Sequence, residues 1–225
     1  MGLKAVIFDF DGVITDSEIL HLRAFNYVLK QYGLKISKKE YYKNFLGFSD
    51  IDLFNLLNRK GIIQTNPHTI QELIKQKNQH FEELSQKEGK LIEGVKSFIT
   101  MLSEAGIPIA IYSGALLPEI ELVLEDASLK DRFHTIISSE MVTKGKPDPE
   151  GFLLALNELN RIQKILPGEC IVIEDSHWGL QAADDAGMHT IAVTNSYPAE
   201  QLQAAERVVS RLDKLTVSDL EKLCL

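Results

Sequence analysis

The sequence predicts an α/β protein built on a parallel, doubly wound sheet, and three observations carry that prediction. Ala5-Val-Ile-Phe8 is apolar without a break, as a strand buried on both faces must be. From Val95 onward, short apolar runs alternate with helical stretches across short connections, the pattern of β/α units laid side by side in one sheet. Each predicted strand stops at small polar or charged residues, and in a parallel open sheet a ligand site lies beyond those carboxyl ends.

Taken in order, Asp9-Phe-Asp11-Gly12 closes the first strand. Ile19, Leu22, Ala24, Phe25, Val28 and Leu29 share one helical stripe from Ser17 to about Tyr32, and Gly33 ends it. Ser37 with Glu40 forms a capping-box pattern for a second helix that ends before Gly47. Ser49 or Asp50 caps a third, and Asn66-Pro67 opens a fourth that runs to about Lys87 and stops at Gly89. Residues 17–90 are therefore expected to be all-helical. A helix from Gly94 to Ala105 then leads to a strand from Ile107 to Tyr112, and a helix over 118–128 to a short strand from His134 to Ser138. A helix from Glu150 to about Leu159 precedes the strand Cys170 to Ile173, and a helix carrying Leu180, Ala182 and Ala183 precedes the strand Thr190 to Val193.

At 225 residues the chain can bury a substantial core. Its net charge of -8 argues against nucleic acid or an anionic membrane surface as partner, since both require clustered Lys and Arg. No stretch approaches the roughly 18 apolar residues of a spanning helix, and the start Met-Gly-Leu-Lys leads into a strand, so a cytoplasmic protein is expected. A monomer or weak dimer is the expected assembly, although nothing in the sequence specifies it. Cys170 reads as core and Cys224 as part of a frayed terminus, which leaves no disulfide framework.

The polar strand ends are where chemistry would collect. Asp9 and Asp11 follow the first strand, Ser113 the second, Lys146 lies in the loop after the third, and Glu174 with Asp175 follows the fourth. An isolated Asp-x-Asp-Gly reads equally well as a loop leaving a sheet or as a site. Four acids, a hydroxyl and a lysine on one edge favour a site, because like charges brought together repel unless a cation lies between them. Oxygen ligands without nearby His or Cys select a hard divalent ion, and one that keeps waters beside a phosphate is Mg²⁺. Phosphoryl transfer follows, with an aspartate nucleophile, a second carboxyl as acid and then base, and the lysine and serine on the equatorial oxygens.

These residues resemble the four ordered motifs of the haloacid dehalogenase superfamily: Asp9-Phe-Asp11-Gly-Val, Ser113, Lys146-Pro, and Glu174-Asp175-Ser176 with Gly179, Ala182 and Gly187 beyond. The pattern is most similar to the branch containing β-phosphoglucomutase and phosphoglycolate phosphatase. That resemblance implies a Rossmann-like core (1–16 and 91–225) with an inserted all-helical cap (17–90) that closes over the site. It implies Asp9 as nucleophile and metal ligand, Asp11 as general acid/base with its backbone carbonyl on the metal, Asp175 and Glu174 as the other acids at Mg²⁺, and Ser113 and Lys146 as phosphate holders. Gly114 beside Ser113, and Gly47, Ser49 and His21 of the cap, are the expected substrate-binding positions. His21 reads equally as a surface residue, while His177 and Trp178 read as loop packing.

The expected activity is Mg²⁺-dependent hydrolysis of a small phosphorylated metabolite, a sugar phosphate or phosphoglycolate-like compound, through an aspartyl-phosphate. Phosphomutase activity is the alternative, and a non-catalytic metal-binding module a further one. A mutase needs extra cationic donors for a second phosphate, and the resemblance aligns Leu46, Asp50, Leu116 and Leu117 with those positions.

Overall fold

The structure, a computed structural model, describes residues 2–46, 48–88 and 90–225. The chain divides into two compact units, one of residues 1–16 with 90–225 and one of residues 17–89.

The first unit is built on a six-stranded sheet in which every pairing is parallel, in agreement with the predicted fold class. Its strands are β1 (Ala5–Phe8), β2 (Ile109–Tyr112), β3 (Thr135–Ile137), β4 (Cys170–Glu174), β5 (His189–Val193) and β6 (Arg207–Val209), in the order β3-β2-β1-β4-β5-β6. The direction of winding reverses at β1, so the loop after Phe8 opens at the topological switch point, where open sheets hold their ligands.

Alternation along the strands sends side chains to two separate cores. Val6, Phe8, Ile111, Ile171 and Ile191 pack on one face with Phe98, Ile120 and Leu124. Those three belong to α5 (Val95–Glu104) and α6 (Leu117–Asp126). Ala5, Ile7, Tyr112, Cys170 and Val172 pack on the other with Phe152, Leu159 and Ala182. These come from α7 (Glu150–Leu159) and α8 (His177–Asp185). Burial on both faces is why β1 and β4 lack the alternating pattern of a half-exposed strand.

The structure departs from expectation at several places. The second strand begins at Ile109 rather than Ile107, because Pro108 has no N–H for a ladder and contributes only its carbonyl, which accepts from Val6 N. A sixth strand, β6, and a helix α9 (Val217–Glu221) were not anticipated. Cys224 is not part of a frayed end: it lies in a one-turn helix against the core that holds Leu212, Leu215 and Leu220. His177 and Trp178 open α8 rather than sitting on a loop, with the Ser176 side chain capping the helix through Gly179 N.

The regular elements of the second unit are helices, with no strand among its described residues: α1 (Glu18–Leu29), α2 (Lys38–Asn44), α3 (Asp50–Arg59) and α4 (Pro67–Glu88). Ser37 and Ser49 cap α2 and α3 by accepting from the backbone N–H three residues on, satisfying donors that the helix itself leaves open. Leu20 and Ala24 of α1 pack on Phe81 and Leu84 of α4, and Phe25 meets Phe54 of α3 edge-on at 5.6 Å. The expected stop of α4 at Gly89 lies outside the described residues.

Leu220 is fully buried in the core face that α9 completes. Leu220→Ala should destabilise the protein by about 2–5 kcal/mol, the range for truncating a buried leucine, read as a lowered urea midpoint at unchanged slope. An unchanged midpoint would mean that α9 is not an integral part of the core.

Candidate active site

The site is assembled at the carboxyl edge of the first unit's sheet. Asp9 follows β1 directly, and its N–H continues the ladder to Ile173 O at 2.9 Å, which fixes the backbone as it leaves the strand. The chain then turns back on itself. Gly12 has a φ of 79° and donates to Thr15 O at 2.8 Å, and Asn195 Nδ2 donates to Gly12 O at 2.7 Å. A Cβ at Gly12 would overlap the Asp175 carboxylate and crowd Ser196 Oγ, so this glycine is required both by its backbone conformation and by the acid beside it.

Lys146 reaches from its loop into the acids. Its Nζ lies 2.5 Å from Asp9 Oδ1 and 2.6 Å from Glu174 Oε1. Glu174, which is fully buried at the end of β4, spends its second oxygen on Asp175 N and Ser176 N, each at 2.8 Å, and on Ser176 Oγ at 2.9 Å. The carboxylate is therefore locked to the start of α8, and Gly179 leaves the room for it: a Cβ there would overlap the carboxylate itself. Ser113 Oγ accepts from Ala115 N at 2.9 Å, which orients the hydroxyl toward Asp11 Oδ2 at 3.5 Å. Gly114 lies exposed beside it with open space where a side chain would project.

The charge balance is uneven. Burial pushes the Asp9 carboxyl up to about 8; the Lys146 ammonium opposes this, while the Glu174 and Asp11 carboxylates add to it. Burial also works against the charge on Lys146, but Asp9 and Glu174 outweigh it and hold the ammonium above the ordinary lysine range. One lysine is thus shared by two buried acids, with Asp175 buried close by.

One carboxylate oxygen from each of Asp9, Glu174 and Asp175 lies within 4.8 Å of the other two. Such an all-oxygen donor set suits a hard cation, and a divalent ion would offset the negative charge that the buried acids bring together. The Asp11 side chain is not part of this group; it faces Ser113 instead. The six residues singled out at the strand ends, Asp9, Asp11, Ser113, Lys146, Glu174 and Asp175, are thus brought together. Asn195 and Ser196 were not anticipated, although Thr194-Asn195-Ser196 is another polar stop directly after an apolar strand. Tyr112 and Phe152 were also missed: Lys146 Nζ lies 5.1 Å and 5.3 Å from their ring centres.

In the helical unit, His21 is half-buried. It stacks on Phe81 with ring centres 4.0 Å apart, and its Nδ1 lies 2.9 Å from Lys77 Nζ. Burial, reinforced by Lys77, holds the imidazole well below the ordinary histidine range, so it is neutral and can accept from the ammonium. Lys77 is itself buried and pairs with Asp50 at 2.9 Å and 3.1 Å. Ser49, expected to touch substrate, caps α3 and donates to Asp52 Oδ2 at 2.5 Å. Gly47 lies outside the described residues.

Comparison with known proteins agrees with this architecture. The chain is 29% identical over 224 residues to beta-phosphoglucomutase of Bacillus subtilis, covering 98% of this chain and 95% of that protein. It is 34% identical over 158 residues to the chloroplastic 5-amino-6-(5-phospho-D-ribitylamino)uracil phosphatase of Arabidopsis thaliana, which matches 70% of this chain but only 41% of the relative's own length. The crystal structure of a mutant of CbbY from Rhodobacter sphaeroides in complex with xylulose-(1,5)bisphosphate superposes with a TM-score of 0.84 at 26% identity, covering 97% of this chain and 99% of that one. The family described as Haloacid dehalogenase-like hydrolase matches residues 6–193, and with the acids, serine and lysine gathered at one sheet edge, the chain belongs to that family.

Proposed function

We propose that the protein is a Mg²⁺-dependent phosphatase that hydrolyses a small phosphorylated metabolite, a sugar phosphate or phosphoglycolate-like compound, through an aspartyl-phosphate at Asp9. The observation that carries the reading is the position of Asp9 at the switch point, within reach of Lys146 and flanked by two further buried acids. In this reading Asp9, Asp175 and Glu174, with the backbone of Asp11, hold Mg²⁺. When bound, the ion draws charge from the phosphoryl oxygens and lets an anionic substrate approach the acids.

The chain's own residues then divide the work. A carboxylate oxygen of Asp9 attacks phosphorus, the ester P–O bond breaks, and Asp11 gives its proton to the departing alkoxide. Asp11, now a carboxylate, takes a proton from the water that attacks the aspartyl-phosphate, and cleavage of that P–O bond frees inorganic phosphate and restores Asp9. Lys146 and the Ser113 hydroxyl hold the equatorial oxygens, where negative charge gathers in the transition state. The helical segment 17–90 acts as a cap that restricts the leaving group and excludes bulk water, leaving room for the one water that Asp11 activates in the second step.

A mutase is the second reading, favoured by the relative of that name. A bisphosphate intermediate must be held at its far phosphate by cations. At the positions where such donors are expected, Asp50 is an acid tied to Lys77, Leu46 is buried, and Leu116 and Leu117 carry no charge. With Asp50 and Lys77 paired to each other, none of these four positions supplies a cation to a second phosphate. Hydrolysis without phosphate return is therefore the expected outcome.

The wild-type protein should release phosphate from p-nitrophenyl phosphate and from sugar or polyol phosphates in Mg²⁺. Chelator should abolish turnover, and Ca²⁺, with its larger and looser coordination, should restore it poorly. Asp9→Asn should yield no phosphoenzyme under rapid quench, whereas Asp11→Asn should still accept a phosphoryl group from an activated aryl ester and then stall. Full activity in excess chelator, or a label on another residue, would contradict the reading.

With glucose 1-phosphate and a bisphosphate primer, a coupled dehydrogenase assay should detect no glucose 6-phosphate while inorganic phosphate accumulates. Isomerisation outpacing phosphate release would make the mutase reading correct.

A further inference from the structure

The lysine shared by Asp9 and Glu174 is held from two sides, and only one of them is ionic. Its stem is long and flexible, and its loop is fixed at a distance by Glu150, whose two carboxylate oxygens accept from Thr143 N and Lys144 N at 2.9 Å each. Asp9 and Glu174 bind the ammonium on one side. A metal ion and a phosphoryl group would both compete for Asp9, so these ion pairs alone would leave Lys146 free to follow whichever partner pulls hardest.

The other side is aromatic. Tyr112, the last residue of β2, and Phe152 of α7 meet edge to face with centres 4.9 Å apart and an interplanar angle of 85°. Lys146 Nζ lies near both rings. Ring faces attract a cation without being displaced by anions or water, and the attraction strengthens where water is excluded. Tyr112 is fully buried, and its burial, together with the Asp9 and Glu150 charges and against the pull of Lys146, keeps the phenol protonated above its ordinary range.

The tyrosine ring needs space that the neighbouring helix supplies. Gly151 occupies the second position of α7, where glycine is a poor helix former, and a Cβ there would overlap three atoms of the Tyr112 ring. Its backbone has no left-handed φ, so conformational freedom does not explain the glycine; the ring does.

We infer that Tyr112 is a positioning residue for Lys146, its ring fixing the ammonium between Asp9 and Glu174, and that Gly151 is the notch in α7 that admits the ring. The inference rests on the reading of Lys146 as a phosphoryl holder for its catalytic consequence, and on geometry alone for the placement of the lysine. The two parts are tested separately.

Placement is read by NMR on protein carrying ¹³C-labelled lysine, with the Lys146 ε-methylene signal assigned by its disappearance in Lys146→Met. Ring currents should shift that signal upfield in the wild type and in Tyr112→Phe, which keeps the ring. In Tyr112→Leu it should move toward the other lysine signals. Consequence is read in steady-state kinetics with an aryl phosphate: Tyr112→Leu should lose about 10-fold in kcat with KM within about 2-fold, and Tyr112→Phe should keep both within about 2-fold of wild type. The double variant Tyr112→Leu/Gly151→Ala fills the vacated notch, and should regain any stability lost in the single variant without regaining kcat. An unshifted wild-type signal, or a Lys146 signal unmoved in Tyr112→Leu, would overturn the placement whether or not the protein is a phosphatase. Equal kcat in Tyr112→Leu and wild type, or equal losses in Tyr112→Phe and Tyr112→Leu, would overturn the positioning role.

Discussion

The first unit is arranged around a charge imbalance held at the ends of two paired strands, β1 and β4. Asp9, Glu174 and Asp175 are buried within a few ångströms of one another, and Lys146 is shared between two of them. Burial pushes the Asp9 carboxyl up to about 8, and the neighbouring acids Glu174 and Asp11 add to the rise while Lys146 opposes it. A fold under selection for stability alone would not concentrate acids there. The arrangement becomes favourable when a divalent cation and an anionic substrate are added, since each removes the repulsion the other would suffer.

Much of the surrounding sequence serves to maintain that arrangement. Gly12 and Gly179 each sit against an acid, and a methyl group at either would strike a carboxylate. Ser176 and the N–H groups of Asp175 and Ser176 bind Glu174 from below, so the acid that faces Lys146 cannot swing away. Asn195 pins the turn after Asp11 from the far side of the sheet's winding reversal, through the Gly12 carbonyl. Strand order supplies the convergence: β1 lies between β2 and β4, so the residues after all three strands meet without any long loop.

The parts of this that were legible in the sequence are those encoded along the chain. Uninterrupted apolar runs gave β1 and β4, serine caps gave α2 and α3, and acids stopping apolar runs marked the site. What escaped is encoded only across the chain. Arg207–Val209 is a three-residue, half-buried edge strand, too short to display a period, and it becomes a strand only because β5 offers a free edge. His21, Lys77 and Asp50 are far apart in sequence, and their cluster around the buried Lys77 ammonium depends on α1, α3 and α4 packing together. The aromatic wall behind Lys146 likewise needs β2 and α7 side by side before Tyr112 and Gly151 acquire meaning as a pair.

The central claim is that these acids form a cation site whose negative charge is a cost to the metal-free fold. Thermal unfolding of the wild type and of Asp175→Asn, each with chelator and with Mg²⁺, tests it most directly. The wild-type midpoint should rise with Mg²⁺ concentration, because binding to the folded state alone adds stability by mass action. Asp175→Asn should unfold at a higher temperature than the wild type in chelator and should respond little to Mg²⁺. A wild-type midpoint indifferent to Mg²⁺, or an Asp175→Asn midpoint that is lower in chelator yet rises with Mg²⁺ as the wild type does, would contradict the claim.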